Sequence, residues 1–584
     1  MNFTTDLYRK KTRKRTRILG FLVAVWVFGI FIRLIDLQVF RHSRLKAQVI
    51  KQNQDITRIL PKRGTIYDRN GKILARSVPV PSVFYSPPAE ETINLQMETI
   101  RKLEGILSLS AKDLDKIKTR LQKKSSFVWI KRKVDAAQAE RVKALGLNAI
   151  DFLDEPKRFY TQGSLAAHAL GGVDIDDKGQ SGIELTYDEV LRGKEGESLI
   201  LRDVKRREYY SEVLKAPESG KDITLTIDET IQYYAQKDLE KAVLENRAHW
   251  GTVIISVPAT GEILAMASVP SFDPNSYPPP SSQDEMNRAI RFNFEPGSTF
   301  KIVTASAALE NRRVSLNEIF DCSEGSIAVA GSPIRDHQKF GLLTFPEVVI
   351  HSSNVGMIQI GQRVGSDALL RAVQAFGFGR KTGIDLPAEE SGILPNWSKR
   401  TLPALSIGYE ISVTAIQILQ AMNIIANRGM AVPPRIVKAV QGVPVSPRQD
   451  PRLSEPVISE KTALQLIRIL ERVVLEGTGQ AAWANGYSVA GKTGTTQKFD
   501  PELKAYSSTK HIASFVGFVP VESPMISMIV VLDEPQKGEH YGGQVAAPVF
   551  KEIANRVLRY GHVYPQKSLE RASVTAKLLK DKER

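Results

Sequence analysis

The segment Glu295-Pro-Gly-Ser-Thr-Phe-Lys-Ile-Val-Thr-Ala-Ser-Ala-Ala-Leu309 joins a turn signal to an apolar run. The proline–glycine pair ends the preceding element, and the apolar run predicts a helix whose first turn holds Ser298 and Lys301. Residues three positions apart share one helix face, so the lysine amine can reach the serine hydroxyl. A helix N-terminus also offers unpaired N–H groups to a developing oxyanion. Taken alone, Ser298 fits an ordinary helix cap equally well.

Two further motifs follow along the chain, Ser352-Ser-Asn354 and Lys492-Thr-Gly-Thr495. With Ser298 and Lys301 they supply a nucleophilic hydroxyl, an amine that can take its proton, a second hydroxyl and amide, and a cation suited to a carboxylate. This combination indicates acyl transfer through a covalent serine ester. Apolar segments on both sides of Ser352 predict that this motif connects two helices.

Each motif also occurs elsewhere in this sequence, the first one twice, and context decides between the copies. Ser507 is predicted in a polar loop, Lys381 in a linker before a strand, and Ser43 on a solvated face beside an apolar segment. Ser315 stays open as an alternative to Ser352 on physical grounds alone. The copies are Ser43–Lys46, Ser315–Asn317, Lys381–Gly383 and Ser507–Lys510.

The alternation of apolar residues predicts an antiparallel sheet with helices around the third motif. Glycines on both sides of Lys492-Thr493 would let a substrate backbone approach the strand closely. The expected elements are a helix near 231–243, a hairpin over 250–268, strands over 487–496, 513–519 and 525–532, and a last helix over 547–558.

Composition limits the classes of function. At 584 residues the chain is long enough for two or three domains, and 42% hydrophobic residues can form sizeable cores. The single cysteine, Cys322, excludes an internal disulfide. The histidines form no His-x-x-x-His or Cys/His grouping, so neither a metal site nor a cofactor is expected.

The net charge of +16 is partly concentrated at the N-terminus, where basic residues over 9–17 precede an apolar run over 18–32. This order predicts a transmembrane signal anchor over 18–40, with residues 1–17 as a cytoplasmic tail. No cleavage site follows the apolar run, so the anchor is expected to stay uncleaved. The sequence has no second apolar run of comparable length, so the rest of the chain is expected outside the cytoplasm. Arg33 and Asp36 are expected near the far interface or against a partner helix. Nucleic acid is not an expected partner, because no binding motif is present.

The three motifs resemble those of the penicillin-binding proteins: Glu295–Lys301, Ser352–Gly356 and Ala490–Thr495. Further stretches resemble the monofunctional class B branch, and the resemblance covers roughly residues 18 to 560. Those stretches are Arg63–Gly71, Gly182–Glu184, Ser406–Thr414 and Phe515–Pro520.

The resemblance implies an α+β fold. A serine transpeptidase/β-lactamase-like domain, an antiparallel sheet flanked by helices, would follow an elongated α+β pedestal and a single N-terminal transmembrane helix. The expected parts are a tail (1–17), the anchor (18–40), the pedestal or dimerisation-type domain (41–220), the transpeptidase domain (221–560) and a disordered tail (561–584).

The resemblance also implies roles. Ser298 would attack the D-alanyl-D-alanine bond of a peptidoglycan stem peptide, or a β-lactam, with Lys301 as base. Ser352 would relay a proton, and Asn354 would hold the substrate amide. Lys492, Thr493, Gly494 and Thr495 would bind the terminal carboxylate, and the backbone N–H groups of Ser298 and Thr495 would form an oxyanion hole.

The motifs Ser352–Gly356 and Ser406–Tyr409 look more like the division-specific (FtsI-type) branch than the elongation type. That branch implies an FtsW-type glycosyltransferase and other division membrane proteins as partners, and a place at the septum in the bacterial cytoplasmic (inner) membrane. The alternatives are an elongation-type transpeptidase, a D,D-carboxypeptidase or β-lactamase, a β-lactam sensor, and a non-catalytic division scaffold.

Overall fold

The computed structural model describes residues 3–41, 43–44, 54–87, 91–123, 127–202, 208–276, 283–445, 455–500, 502 and 504–565. The chain divides into two compact units. The first contains Met1–Pro61 and Lys194–Ser219, and the second contains Lys62–Gly193 and Gly220–Arg584.

The first unit begins with a long helix, Phe3–Ile35, that continues into a π-helical turn, Asp36–Phe40. Its stretch Lys14–Phe40 has a mean hydropathy of 2.6 and is long and apolar enough to cross a membrane. The Asp36 carboxylate lies 2.9 Å from the Arg33 guanidinium and 3.1 Å from that of Arg41. Arg33 and Asp36, which are expected near the far membrane interface or against a partner helix, are therefore paired with each other, and Asp36 is also paired with Arg41. An antiparallel sheet completes the unit, with strands Gln54–Ile59, Gly196–Arg202 and Glu208–Lys215.

The second unit is built around a five-stranded antiparallel sheet. Its strand order is Ile263–Val269, Trp250–Ser256, Ile526–Asp533, Ala505–Val519 and Ala490–Asp500. Two of these strands, Trp250–Ser256 and Ile526–Asp533, are buried along their whole length. Such strands need apolar residues at successive positions because helices cover both faces of the sheet. The edge strand Ala490–Asp500 carries the third motif.

One face of this sheet packs against the helices Lys301–Glu310, Ala415–Ala426 and Glu460–Leu475. The opposite face packs against Glu229–Glu245 and Ala547–Tyr560. Neighbouring residues of one strand, such as Val253 and Ile254, belong to the two different cores. The other helices described between residues 220 and 560 are Arg288–Arg291, Phe345–Ile350, Asn354–Val364, Ser366–Ala375, Thr401–Ser406 and Gly542–Val545.

A second, mixed sheet joins strands that are far apart in sequence. Its order is Val443–Pro444, Val437–Val440, Ile223–Leu225, Ile66–Tyr67, Ile73–Tyr85 and Val128–Lys131, and Ile150–Tyr160 also pairs with Ile73–Tyr85. Helices Ile93–Leu107, Ala111–Gln122 and Ala136–Lys143 form a separate small core against it. Short helices Ala167–Leu170, Gly182–Thr186 and Asp188–Arg192 follow, and two small hairpins pair Ile319–Asp321 with Leu342–Thr344 and Ser326–Val329 with Ser332–Arg335.

The predicted helix near 231–243, the hairpin over 250–268, the three sheet strands and the last helix are confirmed. The loop predicted around Ser507 is wrong, because this residue lies in the strand Ala505–Val519. Pairing with the end of the neighbouring strand, Phe499 opposite Tyr506, extends the ladder into a polar segment. The disordered tail predicted over 561–584 begins with residues that contact the folded unit, since the Val563 carbonyl accepts a hydrogen bond of 2.8 Å from the Tyr487 hydroxyl. Residues 566–584 lie outside the described part of the chain.

Candidate active site

Ser298 lies in a short 3₁₀ turn, Gly297–Phe300, that leads directly into the helix Lys301–Glu310. The helix is buried from Lys301 to Leu309, so the core fixes its position, while Ser298 is only half-buried. Gly297 has φ +53°, and a Cβ there would lie 2.3 Å from Thr496 Oγ1. The glycine therefore lets the serine turn pack directly on the strand of the third motif.

The Lys301 amine is fully buried and lies between the first and second motifs. It donates hydrogen bonds to the Ser352 carbonyl (2.7 Å) and to Asn354 Oδ1 (2.8 Å), and lies 3.3 Å from Ser352 Oγ. Burial lowers the pKa of Lys301 to about 7, against an opposing effect of Asp336. A neutral amine satisfied by two acceptors keeps a lone pair that can take a proton.

The Ser298 hydroxyl and the Lys301 amine, which the sequence places within reach of each other, do not form a hydrogen bond in this structure. Within the described residues the Ser298 hydroxyl has no hydrogen-bond partner, because the Lys301 amine is directed toward the stronger acceptors of the second motif. The half-buried Ser298 thus lies at the start of a buried helix, three residues before the lysine whose amine has a lowered pKa.

Ser352-Ser-Asn354 connects the helices Phe345–Ile350 and Asn354–Val364, as predicted. Ser352 adopts a left-handed backbone conformation (φ 59°), and Ser353 caps the second helix by accepting the Gly356 N–H. This turn places Ser352 Oγ 3.3 Å from the Lys301 amine and 2.8 Å from the Lys492 amine. One hydroxyl therefore bridges both buried lysines.

Lys492 projects from the edge strand Ala490–Asp500 and is fully buried. Its amine donates to Ser352 Oγ and, at 3.3 Å, to the Thr493 carbonyl. Burial, and then the neighbouring Lys301, lower the pKa of Lys492 well below its usual range. A carboxylate bound here would supply the missing counter-charge and favour the ammonium form.

The threonines of the third motif are partly engaged. The Thr493 hydroxyl lies 2.7 Å from the Thr478 hydroxyl, and the Thr495 hydroxyl accepts the Gly542 N–H at 3.0 Å. A hydroxyl that accepts a hydrogen bond still has its own proton to donate to a carboxylate. At Gly494 a Cβ would lie 2.8 Å from Thr299 Cγ2 and 3.1 Å from the Pro296 carbonyl, which accounts for the glycine. Thr478 was not identified from the sequence, because the residues around it carry no recognised motif.

Asp336 is a second residue that the sequence did not indicate. Its carboxylate accepts the Ser353 hydroxyl at 2.7 Å and the backbone N–H groups of Asn354 and Val355. The neighbouring Arg335 carbonyl accepts the Asn354 side-chain amide at 2.9 Å. The contact joins the end of a small hairpin to the second motif, and no local pattern around Asp336 indicates it.

The duplicate motifs have other surroundings. Lys381 lies in a loop, as predicted, but the next helix or strand among the described residues is the helix Thr401–Ser406 and not a strand. The Glu389 carboxylate accepts the N–H groups of Thr382 (2.7 Å) and Gly383 (3.1 Å). The Ser315 N–H donates to the Glu318 carboxylate in an exposed turn. Neither copy contributes a contact to Lys301 or Lys492 among the described residues.

Among the described residues, one group could hold a metal by composition: His249, Asp533 and Glu534. The Lys498 ammonium lies 2.9 Å from Asp533 and 2.6 Å from Glu534, so an ion pair already satisfies these carboxylates. No residue of the three motifs belongs to this group.

Comparison with known proteins identifies the family. Residues 251–555 match the family model of the penicillin-binding protein transpeptidase domain, and residues 58–225 match that of the penicillin-binding protein dimerisation domain. A probable peptidoglycan D,D-transpeptidase PenA of Neisseria meningitidis is 35% identical over 94% of both chains. Stage V sporulation protein D of Bacillus subtilis is 36% identical, covering 87% of this chain and 80% of the relative.

The peptidoglycan D,D-transpeptidase FtsI of Escherichia coli is 31% identical, covering 91% of this chain and 89% of the relative. A crystal structure of penicillin-binding protein 3 from Mycobacterium tuberculosis with aztreonam superposes with a TM-score of 0.65 at 28% identity, covering 88% of this chain and 98% of that chain. The chain therefore belongs to the penicillin-binding protein transpeptidase family, in its FtsI-like class B branch.

Proposed function

We propose that this chain is a serine-type peptidoglycan D,D-transpeptidase whose nucleophile is Ser298. The observation that carries the proposal is the Ser352 hydroxyl, which lies within hydrogen-bond reach of both buried lysines. That arrangement connects the proposed base, Lys301, to the cation Lys492 through one hydroxyl. It also offers a path along which a proton can reach a leaving amine.

Acylation starts when Ser298 Oγ attacks the carbonyl between the last two D-alanines of a stem peptide. Lys301 takes the hydroxyl proton, the peptide C–N bond breaks, and the departing D-alanine amine receives that proton through Ser352. The stem is left as an ester on Ser298, and Lys301 is neutral again. An amine of a neighbouring stem then attacks the ester and gives its proton to Lys301, and Ser298 Oγ leaves as Lys301 passes that proton to it.

Substrate orientation comes from the third motif and Asn354. Lys492 with the hydroxyls of Thr493 and Thr495 binds the terminal carboxylate, the Gly494 backbone lets it approach, and the Asn354 amide contacts the stem peptide. The backbone N–H groups of Ser298 and Thr495 stabilise the oxyanion; one such donor contributes about 10²–10³ in rate in other serine enzymes. The related structure from Mycobacterium tuberculosis is complexed with the β-lactam aztreonam, and we expect a β-lactam to acylate Ser298 in this chain.

A transfer assay tests the proposal against the carboxypeptidase alternative. The detergent-solubilised chain is given a thioester analogue of the stem peptide with a D-amino acid as acceptor amine. We expect an amide product whose yield rises with acceptor concentration. Hydrolysis alone, at every acceptor concentration, would identify a hydrolase, and no turnover of any kind would support the scaffold alternative.

The same family placement supports a septal role, which we propose together with an N-in orientation. The helix Lys14–Phe40 anchors the chain, and the catalytic unit lies outside the cytoplasm with an FtsW-type glycosyltransferase and other division membrane proteins as partners. The name of the Escherichia coli relative and the basic run before the helix support this.

Depletion of this protein in the native bacterium tests the septal role. Replacement of residues 18–40 by an unrelated membrane span tests whether this segment binds the glycosyltransferase partner. Depletion should give filaments, whereas rounded cells would replace the septal role with an elongation role. The swapped chain should still be acylated by penicillin but should recover less glycosyltransferase. Unchanged recovery would place partner recognition in residues 41–220.

A further inference from the structure

His337 lies two residues after the strand Ser332–Arg335, in the segment that contacts the second motif. The carbonyl at the end of that strand accepts the Asn354 side-chain amide at 2.9 Å, and the Asp336 carboxylate accepts the backbone N–H group of the same asparagine. These contacts fix the backbone of the segment beside the second motif. The His337 side chain is exposed, and the proposed acylation step does not use it.

The ring of His337 belongs to a row of aromatic contacts that ends at the second motif. It meets the Phe340 ring edge-on with the two centroids 5.3 Å apart, and the Phe340 ring stacks on the His351 ring at 5.6 Å. His351 directly precedes Ser352, whose hydroxyl lies within hydrogen-bond reach of both buried lysines. These contacts limit the positions that the exposed His337 ring can take.

The charged groups around His337 place its ring near the reacting groups. They are Lys301, Lys492, Asp336 and His351. Lys301 and Lys492 are fully buried whereas His337 is exposed, so the imidazole lies on the solvent side of the two amines. Burial lowers the pKa of His337, and the two lysines lower it further against the opposing effect of Asp336. The imidazole is therefore neutral at neutral pH and keeps a lone pair.

The second half of the proposed reaction needs a base for the acceptor. A primary amine of a stem peptide is mostly an ammonium ion at neutral pH, and an ammonium ion has no lone pair with which to attack the ester. In the proposed reaction Lys301 takes the proton that the amine loses as the amide bond forms, so another group must take the first proton. A neutral imidazole on the solvent side of the two lysines suits this task.

We propose that His337 receives the acceptor: its imidazole accepts a hydrogen bond from the incoming ammonium group, takes one proton from it, and then gives this proton to water. The free amine attacks the ester on Ser298 and forms the new C–N bond. It gives its second proton to Lys301, which passes that proton to Ser298 Oγ as the C–O bond breaks. The inference rests on the proposed transpeptidase function and assigns the acceptor side of the same site.

The test measures how the ester on the full chain in detergent divides between a limiting amine acceptor and water, because this ratio does not depend on how fast the ester forms. With the thioester analogue and a D-amino acid, the ratio of amide to hydrolysis product should fall about tenfold to a hundredfold in His337→Gln. His337→Phe keeps a ring beside Phe340 and should show the same loss. With hydroxylamine, which is uncharged at neutral pH, both variants should keep the wild-type ratio.

His249→Gln is the matched control, because His249 is another exposed histidine and lies 3.9 Å from Glu534, outside the three motifs. Both of its ratios should equal those of the unmodified chain. A wild-type ratio with the D-amino acid in the two His337 variants, or an equal loss with hydroxylamine, would overturn the proposal. A wild-type chain that forms no amide with any acceptor would instead overturn the proposed function.

Discussion

Two buried lysines that share one hydroxyl define the chemistry at the scale of single residues. Neither Lys301 nor Lys492 is exposed, and their amines lie 3.3 Å and 2.8 Å from the same Ser352 hydroxyl. Water therefore cannot stabilise a positive charge on both amines at once. One of the two gives up its proton readily, and a carboxylate ligand favours the charge on Lys492.

The first prediction concerns pH. Lys301 must be neutral to accept the Ser298 proton, and burial lowers its pKa to about 7. The second-order rate constant for acylation should therefore rise as pH increases through about 7 and be lost below that value as the amine is protonated. Stopped-flow acylation from about pH 5.5 to about pH 8.5 measures this. A rate that is level across the range, or that falls with rising pH, would contradict the assignment of Lys301 as base.

The second prediction separates the two Lys-Thr-Gly copies. Lys492→Ala removes a buried cation that faces Ser352, so acylation should fall by about 10²–10³. Lys381→Ala is the matched control, since its motif is a loop whose N–H groups bind Glu389, and its acylation rate should not change. Equal losses in the two variants would mean that the wrong copy was chosen.

The sequence allowed the motif residues and their order to be predicted, because each motif carries its own spacing. Asp336 and Thr478 could not be predicted in this way. Each meets its partner through a contact between elements that are distant in sequence, Asp336 with Asn354 and Thr478 with Thr493. Such contacts depend on how a hairpin and a helix end are packed, which no local pattern encodes.

At the scale of elements, the turn that carries Ser298, Gly297–Phe300, packs closely on the strand that carries Lys492, Ala490–Asp500. This close packing sets the geometry of the candidate active site. Gly494→Ala would place a Cβ 2.4 Å from Ser514 Oγ and 2.8 Å from Thr299 Cγ2. The turn and strand must separate, so acylation should fall about tenfold to a hundredfold. Penicillin acylation kinetics together with a melting curve measure both effects.

Gly105→Ala controls for the loss of a glycine. Gly105 lies inside the helix Ile93–Leu107 with nothing within 4 Å of an added Cβ. This variant should acylate normally and gain about 0.5–1 kcal/mol in the free energy of unfolding. Normal acylation of Gly494→Ala would mean that the close approach of turn and strand is not needed.

Regular periodicity allowed the helices Glu229–Glu245 and Ala547–Tyr560 and the five strands of the central sheet to be predicted, and the exceptions have physical causes. Ser507 lies in a strand because the neighbouring strand pairs with a segment of polar composition. The mixed sheet could not be predicted, since Ile223–Leu225 pairs with Ile66–Tyr67 on one side and Val437–Val440 on the other. The boundary drawn at residue 220 stays a prediction.

At the scale of the whole molecule, a buried ion network stabilises the compact unit of residues 62–193 and 220–565. The Glu184 carboxylate lies 2.7 Å from Arg63 and 2.6 Å from Arg158, and all three side chains are buried. Arg63 also pairs with Asp188 at 2.7 Å, so Glu184→Gln removes the ion-pair partner of the buried Arg158 and one of the two partners of Arg63. This should cost about 3–5 kcal/mol of unfolding free energy.

Thermal unfolding of the full chain measures this loss, and Glu140→Gln is the control. Glu140 forms an exposed pair with Lys143 at 2.9 Å, so its loss should change the free energy of unfolding by no more than about 0.5 kcal/mol. An unchanged unfolding temperature for Glu184→Gln would show that the network contributes little to stability.

The covalent ester on Ser298 is the central claim, and locating a penicillin adduct tests it most directly. After treatment of the full chain with penicillin, intact mass should increase by one drug molecule, and peptide mapping should place it on Ser298. Ser298→Ala should remain unlabelled and melt as the wild type does. An adduct on Ser507 or another serine, or labelling that survives Ser298→Ala, would contradict the account.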